Sequence, residues 1–394
     1  MQSRFDETID RRHTGSMKWE VAEGELPMWV ADMDFQTAPE VTEAICKRAA
    51  QGVFGYTLIT EEWYQAYQSW WQSRHGFDIK KEWLIFSTGV VPAISSVVRK
   101  LTTVAEKVVV LTPVYNIFFN SIVNNGRNVL ESRLVYDHGS YTIDFEDLEA
   151  KLADPQTTMM ILCNPHNPIG ILWDKETLAK IGALCKKHHV LVLSDEIHCD
   201  LTEPGKGYIP FAAVSETCRD ISITCIAPTK AFNLAGIQTA AVVVPSEALR
   251  HRVNRGLNTD EVAEPNVFAA IAPIAAFNQG GPWLDALRAY LWENRRLAEA
   301  YIDREIPGVK AVKGKATYLL WLDCQELTKD SQTLCQFIRR DSGLYLSEGA
   351  EYRNGDGFLR MNLACPREQV MEGLKRLKRS VAGYRSKILK GEHF

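Results

Sequence analysis

An α/β fold is what this 394-residue sequence predicts: a large, mostly parallel sheet between helical layers (α/β/α), with a smaller α+β portion attached. Three observations predict it. From 83 to 244, short apolar runs alternate with amphipathic stretches, as strands and helices do in turn. The runs are apolar on both faces, which suits strands of a parallel sheet covered on both sides. A single core also stops growing at roughly 250 to 300 residues, so the remainder of the chain is expected to form a second body.

Taken in order, residues 1–50 read as an irregular arm ending in a helix at 40–50, led by Pro39, whose fixed φ suits a first helical turn. Strand-like runs follow at 83–86, 108–111, 159–163, 190–193, 221–225 and 239–244, with helical spacing between them, as at 93–101 and 175–188. After Pro282 the style changes. A long helix at 283–305 is charged on one side and carries Leu284, Leu287, Leu291 and Leu297 on the other. A strand at 318–322, a helix at 331–340, the turn Asn354-Gly355-Asp356-Gly357, a strand at 358–362 and a helix from 367 to about 384 complete the pattern. The expected division is a large domain over 51–282 and a small one over 283–394, with the arm 1–50 packing on the small domain.

Composition narrows the partners. With 46% hydrophobic residues, 24% charged and a net charge of -4, the chain is ordinary globular material without the basic surface that nucleic acid or anionic lipid requires. The longest uncharged apolar stretch, 267–278, is broken by Pro273 and is too short for the roughly 20 residues of a membrane span. The nine cysteines are scattered and never spaced C-x-x-C, as expected of reduced thiols in a cytoplasm rather than of disulfides or a zinc site. The polar N-terminus shows no signal-peptide pattern.

In an open parallel sheet, ligands gather at the carboxyl ends of the strands, and five expected strand ends carry unusual residues. Ser87-Thr88-Gly89-Val90-Val91 joins a strand to a helix through glycine, which presents backbone N–H groups and the positive end of the helix dipole to a phosphate. Tyr115, after Thr112-Pro113, either stacks on a planar cofactor or fills the core. Asn164-Pro165-His166-Asn167-Pro168-Ile169-Gly170 presents Asn amides, or is merely turn chemistry. Ser194-Asp195-Glu196-Ile197-His198 has the form of a helicase box, but no phosphate loop precedes it; Gly308 to Ala316 has the wrong spacing and lies downstream. Two adjacent buried acids need partners, so Asp195 is expected to face a cation such as a protonated heterocyclic nitrogen. Lastly, Thr229-Lys230 puts a lysine at a buried strand end, where desolvation favours the neutral amine that forms a Schiff base, with the Thr229 hydroxyl beside it. A phosphate cup, a stacking Tyr, an Asn, an Asp and a Lys fit pyridoxal 5'-phosphate.

With these motifs the chain resembles the fold-type I pyridoxal-phosphate enzymes of the aminotransferase superfamily, on Asn164 to Gly170, Asp195-Glu196, Thr229-Lys230 and Arg360-Met361-Asn362. More narrowly it is similar to the MalY/PatB-type carbon–sulfur lyases, the cystathionine β-lyase and cysteine desulfhydrase group. That likeness rests on Trp29 to Phe35 with Ala38-Pro39, on Phe54-Gly55-Tyr56, on Ser194 to His198 and on Phe232 to Gly236. The resemblance implies a PLP-dependent transferase-like fold and a catalytic set of Lys230, Tyr115 and Asp195. Lys230 would hold the cofactor and shuttle the Cα proton, Asp195 would keep the pyridine nitrogen protonated, and Tyr115 would stack on the ring. Asn167 would bond the ring hydroxyl, with His198 where aminotransferases place a Tyr. Gly89, Val90, Val91 and Thr229 would hold the phosphate. Tyr56 would reach over from a second subunit of a homodimer with shared active sites, and Arg360, with Asn167 and Tyr56, would bind the substrate.

Three departures from the aminotransferase pattern favour the lyase branch: Ala227 in place of a Ser, Gln238 in place of a phosphate-binding Arg, and His198 in place of the Tyr. The implied reaction is α,β-elimination from L-cysteine or L-cystathionine, small sulfur-containing amino acids, to pyruvate, ammonia and a thiol or hydrogen sulfide. Two alternatives stand beside it. One is an aminotransferase, and the other is a non-catalytic interaction with a transcription regulator, for which the Trp-rich stretch 62–71 is the candidate surface, although its pattern fits a buried helix or a dimer contact better.

Overall fold

The computed structural model describes residues 3–390. The first two residues of the polar N-terminal segment and the last four of the 283–394 portion lie outside the described residues.

An eight-stranded sheet forms the centre. After the two-residue β1 (Leu26–Pro27) of the arm come β2 (Leu84–Ser87), β3 (Lys107–Thr112), β4 (Asn128–Asp137), β5 (Ser140–Ile143), β6 (Thr157–Cys163), β7 (Leu191–Asp195), β8 (Ser222–Ile226) and β9 (Ala240–Val243). Their order across the sheet is β2-β9-β8-β7-β6-β3-β4-β5. Neighbours from β8 through β4 are parallel. By contrast, β9 runs antiparallel to both β2 and β8, and β5 antiparallel to β4. β2 therefore points the same way as β8, and the carboxyl ends of β2, β3, β6, β7 and β8 share one edge.

Alternation along these strands feeds two cores. Val108 and Val110 of β3 join one cluster with Ile94 and Val97 of the helix Val90–Leu101, while Val109 and Leu111 join another with Leu178 and Ile181 of the helix Lys175–Lys187. Successive side chains point to opposite faces, so a strand apolar throughout must be covered twice.

A second, antiparallel sheet holds β10 (Lys310–Ala311), β11 (Leu319–Asp323), β13 (Ser347–Glu348) and β14 (Phe358–Asn362) in the order β10-β11-β14-β13. β1 pairs in parallel with β12 (Leu344–Tyr345). The helices Gly281–Glu305, Ser331–Ser342 and Arg367–Lys390 supply Ala298, Leu334 and Leu374 to the core of this sheet, and the arm adds Leu26 and Met28. Val312, Trp321 and Phe358 instead join a core of the large sheet, so the two sheets are packed together.

One strand boundary moves here. Residue 221 ends a short helix, Glu216–Ile221, capped by Ser215, and the strand expected at 221–225 starts one residue later. The Trp-rich stretch forms the helix Glu61–His75, whose Trp63, Tyr67, Trp70 and Trp71 are buried against the helix Ile271–Gln279. Its aromatic face is core, as a buried-helix reading of this stretch expects. No described helix is long and apolar enough to cross a membrane. The nine cysteines are free thiols, all buried except Cys46.

Candidate active site

The shared edge of β2, β3, β6, β7 and β8 opens on a cavity of about 300 Å³. Among its lining are ten of the residues singled out from sequence: Thr88, Gly89, Val90, Val91, Tyr115, Asn167, Asp195, His198, Thr229 and Lys230.

At one end, β2 passes through Gly89 into the helix Val90–Leu101. Ala93 is the first N–H of that helix to find a carbonyl, that of Gly89 at 3.1 Å; the N–H groups of Val90 and Val91, ahead of it, have no intrahelical acceptor. A Cβ on Gly89 would lie 3.2 Å from Pro92 Cδ, so glycine lets this junction close tightly.

Lys230 follows β8 and is partly accessible from the cavity. Burial pulls its amine down to about 8; the Arg360 charge adds to the effect, and Asp32 and Asp195 oppose it. Its Nζ donates to the Ala31 carbonyl, which also accepts from the Tyr318 hydroxyl at 2.9 Å. Asp195 closes β7. Burial pushes its carboxyl up to about 7, against the Ile197 N–H, which donates to it at 3.2 Å, and against the Lys230 charge. Glu196 turns away into a separate network, accepting from the Ser194 and Tyr208 hydroxyls at 2.8 Å each and from the Phe211 N–H at 2.9 Å. Thus the two adjacent acids have different partners, and only Asp195 lines the cavity.

His198 is buried, and burial with the Lys230 and Arg360 charges pulls its imidazole down to about 3. It is neutral at physiological pH, and its Nδ1 has no partner among the described residues. Burial pushes the Tyr115 phenol up to about 12, with Asp195 adding to the shift. The Tyr115 N–H donates to the Asn167 carbonyl at 3.1 Å, tying the end of β3 to the loop after β6.

Arg360, on β14 of the second sheet, comes in behind Asn167. Its Nη1 donates to Asn167 Oδ1 at 3.3 Å, and its Nη2 to the Trp29 carbonyl at 2.7 Å. It is buried, its Nε has no partner, and among the described residues no carboxylate pairs with it. A buried guanidinium held only by neutral groups is poised for an anion.

Tyr56 does not join this group. It is 105% exposed and does not line the cavity of its own chain. Ala227 is buried beside the site, and Gln238 stands on the cavity wall.

Sequence reasoning missed the strap 29–35 as a working part. Its carbonyls at Trp29 and Ala31, two residues apart, take Arg360 and Lys230. Asn362 Nδ2 donates to the Val30 and Asp32 carbonyls at 2.6 Å each, and Asn233 Nδ2 to those of Met33 and Phe35. Asp34 anchors the strap in the arm through Arg11 and buried Lys18, each at 2.7 Å. The motif Trp29 to Phe35 stood out only as part of a likeness; contacts made by carbonyls leave no side-chain pattern to read.

Residues 26–377 match the family Aminotransferase class I and II. The chain is 42% identical to the cystathionine beta-lyase PatB of Bacillus subtilis (strain 168), covering 96% of this chain and 100% of that protein. Cystalysin from Treponema denticola, whose crystal structure contains pyridoxal 5'-phosphate, superposes with a TM-score of 0.94 at 33% identity, covering 97% of this chain and 100% of the other. The PLP-bound C-S lyase from Staphylococcus hominis, in complex with the inhibitor L-cycloserine, superposes with a TM-score of 0.91 at 32% identity, covering 97% and 98%. The expected PLP-dependent transferase-like architecture is borne out by these neighbours.

Proposed function

The chain belongs to the class I and II aminotransferase family, and from that premise we propose that it is a pyridoxal-phosphate-dependent carbon–sulfur lyase. The observation that carries the reading is Lys230, a lysine whose amine is pulled down to about 8 inside a cavity it shares with Asp195. The names of PatB and of the S. hominis enzyme support it.

The residues present fit the cofactor. The unpartnered His198 Nδ1 and Arg360 Nε, and the close glycine turn at Gly89, leave polar groups and room for an anionic, ring-bearing ligand. When bound, pyridoxal 5'-phosphate supplies the electron sink that lets a Cα proton leave an amino acid. Lys230 is the attachment point and, as a neutral amine, the base that takes that proton. Asp195 holds the ring nitrogen's proton, an ion pair that would return its carboxyl to the ionised form. Tyr115 packs on the ring, while Asn167 and His198 serve its hydroxyl. The N–H groups of Gly89, Val90 and Val91 and the Thr229 hydroxyl receive the phosphate. Arg360 grips the substrate carboxylate. Lys230 would carry the Cα proton toward the leaving sulfur as the Cβ–S bond breaks, releasing a thiol; water would then hydrolyse the remaining enamine to pyruvate and ammonia. L-cystathionine and L-cysteine are the proposed substrates, the latter giving hydrogen sulfide.

We further propose a cytoplasmic homodimer in which Tyr56 of the partner subunit completes each site. The expected domains, 51–282 and 283–394 with the arm 1–50, remain our division; the arm residues Leu26 and Met28 in the core of the second sheet support it, whereas the helix Pro39–Ala49 packs on the helix Ile271–Gln279 of the large portion.

The test is incubation with L-cysteine or L-cystathionine and no keto acid. Pyruvate and ammonia should form over many turnovers, and Lys230→Ala should lose both turnover and the yellow absorbance of the lysine-linked cofactor. A single stoichiometric half-turnover would assign transamination instead.

A further inference from the structure

The phosphate end of the cavity carries no cation. Val90 and Val91 offer N–H groups there and Thr229 a hydroxyl, and Gln238 completes the wall with an exposed side chain. Of the residues that line the cavity, Lys230 and His198 are the basic ones; the imidazole is neutral and the Lys230 amine is committed to the cofactor's carbon. The loop packed on this end is acidic: the Thr88 N–H donates to the Val262 carbonyl at 2.9 Å, between Glu261 and Glu264. Arg99 is paired with Asp260 at the start of that loop, and the Lys100 charge also acts on that carboxylate. The exposed stretch 51–60, whose Tyr56 is proposed above to complete a partner's site, contains neither Lys nor Arg, and Arg48 beside it is bonded to the Val53 carbonyl.

We infer that Gln238 sets how firmly this protein holds the cofactor's phosphate, which is gripped by dipoles without a formal positive charge. A helix N-terminus supplies the equivalent of about half a charge, against a phosphate bearing close to two at neutral pH. A guanidinium would add a full charge and a bidentate fork. Position 238 can take one. Its backbone is already left-handed, at φ +57° with a Cβ present, so arginine adds no backbone strain that glutamine does not. The exposed side chain also leaves room for greater length. The consequence is weak discrimination: the phosphate ester adds less to cofactor affinity here than it would beside an arginine.

The inference rests on the cofactor reading above, and the experiment separates the two. The full chain, stripped of cofactor, is titrated with pyridoxal 5'-phosphate and with pyridoxal, and the ratio of the two dissociation constants isolates the phosphate. Gln238→Arg should raise that ratio roughly tenfold or more, and high salt should reverse the gain. Gln238→Met should lower it by about two- to tenfold, the scale of one neutral hydrogen bond, and salt should not alter that loss. In the unmodified protein the ratio should vary by less than about twofold between low and high salt. A Gln238→Arg ratio that does not move, with pyridoxal still bound, overturns the inference alone. So does a strongly salt-dependent ratio in the unmodified chain, which needs no variant and would reveal a cation already in place. Binding of neither aldehyde would overturn the cofactor reading and this inference with it.

Discussion

Lys230 shows how one residue's chemistry follows from its place. A lysine on the surface stays protonated to 10.5, the ordinary value, and a protonated amine neither attacks an aldehyde nor accepts a proton. Desolvation at the end of β8 disfavours the charged form, and Arg360 repels it further. The sign for stability follows: between about 8 and 10.5 the unfolded chain binds a proton that the folded one does not, so this group's contribution to stability rises with pH across that window and is lowest below it. The same shift governs reactivity. Capture of pyridoxal phosphate by the cofactor-free protein, followed by absorbance, should speed up as pH rises to about 8 and level off above it. An unperturbed lysine would keep climbing past 10. Arg360→Gln should move the midpoint upward, because it removes a repelling charge; a midpoint left in place would refute the electrostatic account.

Elements, more than single residues, decide whether these groups meet. The loop 164–170 carries Asn167 from the end of β6 and returns at Gly170, where φ is +78°. The N–H groups of Lys315 and Ala316 donate to the Gly170 carbonyl at 2.8 and 3.0 Å, clamping the loop to the segment that leads into β11. A Cβ at Gly170 would fall 2.6 Å from the Ala316 carbonyl oxygen, a backbone atom with little freedom to yield. Gly170→Ala should therefore cost about 1–3 kcal/mol, through strain and the displaced clamp. It should also weaken cofactor binding through Asn167, as a denaturant midpoint and a cofactor titration would show. How much of this was legible varied with the physics of each element. The inner strands could be read because burial on both faces makes them apolar throughout. Strand direction could not, since alternation is the same either way, and β9 proved antiparallel. The pairing of β4 with β5 was missed because its residues, such as Glu131, Arg133 and Asp137, are those of a half-exposed edge. The helix Glu61–His75 was readable as a buried helix from its aromatics at helical spacing, although Glu, Gln and Ser sit among them. Lys230 and Asp195 were readable as charges where charge is costly. The role of Arg360 came only through resemblance, since its strand belongs to the second sheet and nothing local says which cavity it serves.

At the scale of the whole molecule, one stretch stands apart from an otherwise well-buried apolar inventory. Val53, Phe54, Tyr56 and Leu58 are 70%, 60%, 105% and 83% exposed, in succession, on a segment without a single charged residue. Covering Val, Leu and Phe side chains of this kind is worth roughly 1.5–3 kcal/mol each, and a two-fold pairing of chains would cover both copies at once. In such a dimer, a site made of Lys230 from one chain and Tyr56 from the other can be tested by mixing two damaged proteins. Lys230→Ala and Tyr56→Ala should each be impaired alone, the first completely. After subunit exchange, about half the dimers are mixed, and each mixed dimer has one site carrying both substitutions and one carrying neither. Exchange should therefore restore activity to about a quarter of the unmodified level, half the dimers with one of two sites intact. Recovery fails if Tyr56 serves its own chain, because then every site of a mixed dimer keeps one substitution. It fails equally if the protein is a monomer, and sedimentation of the unmodified chain tells those two outcomes apart.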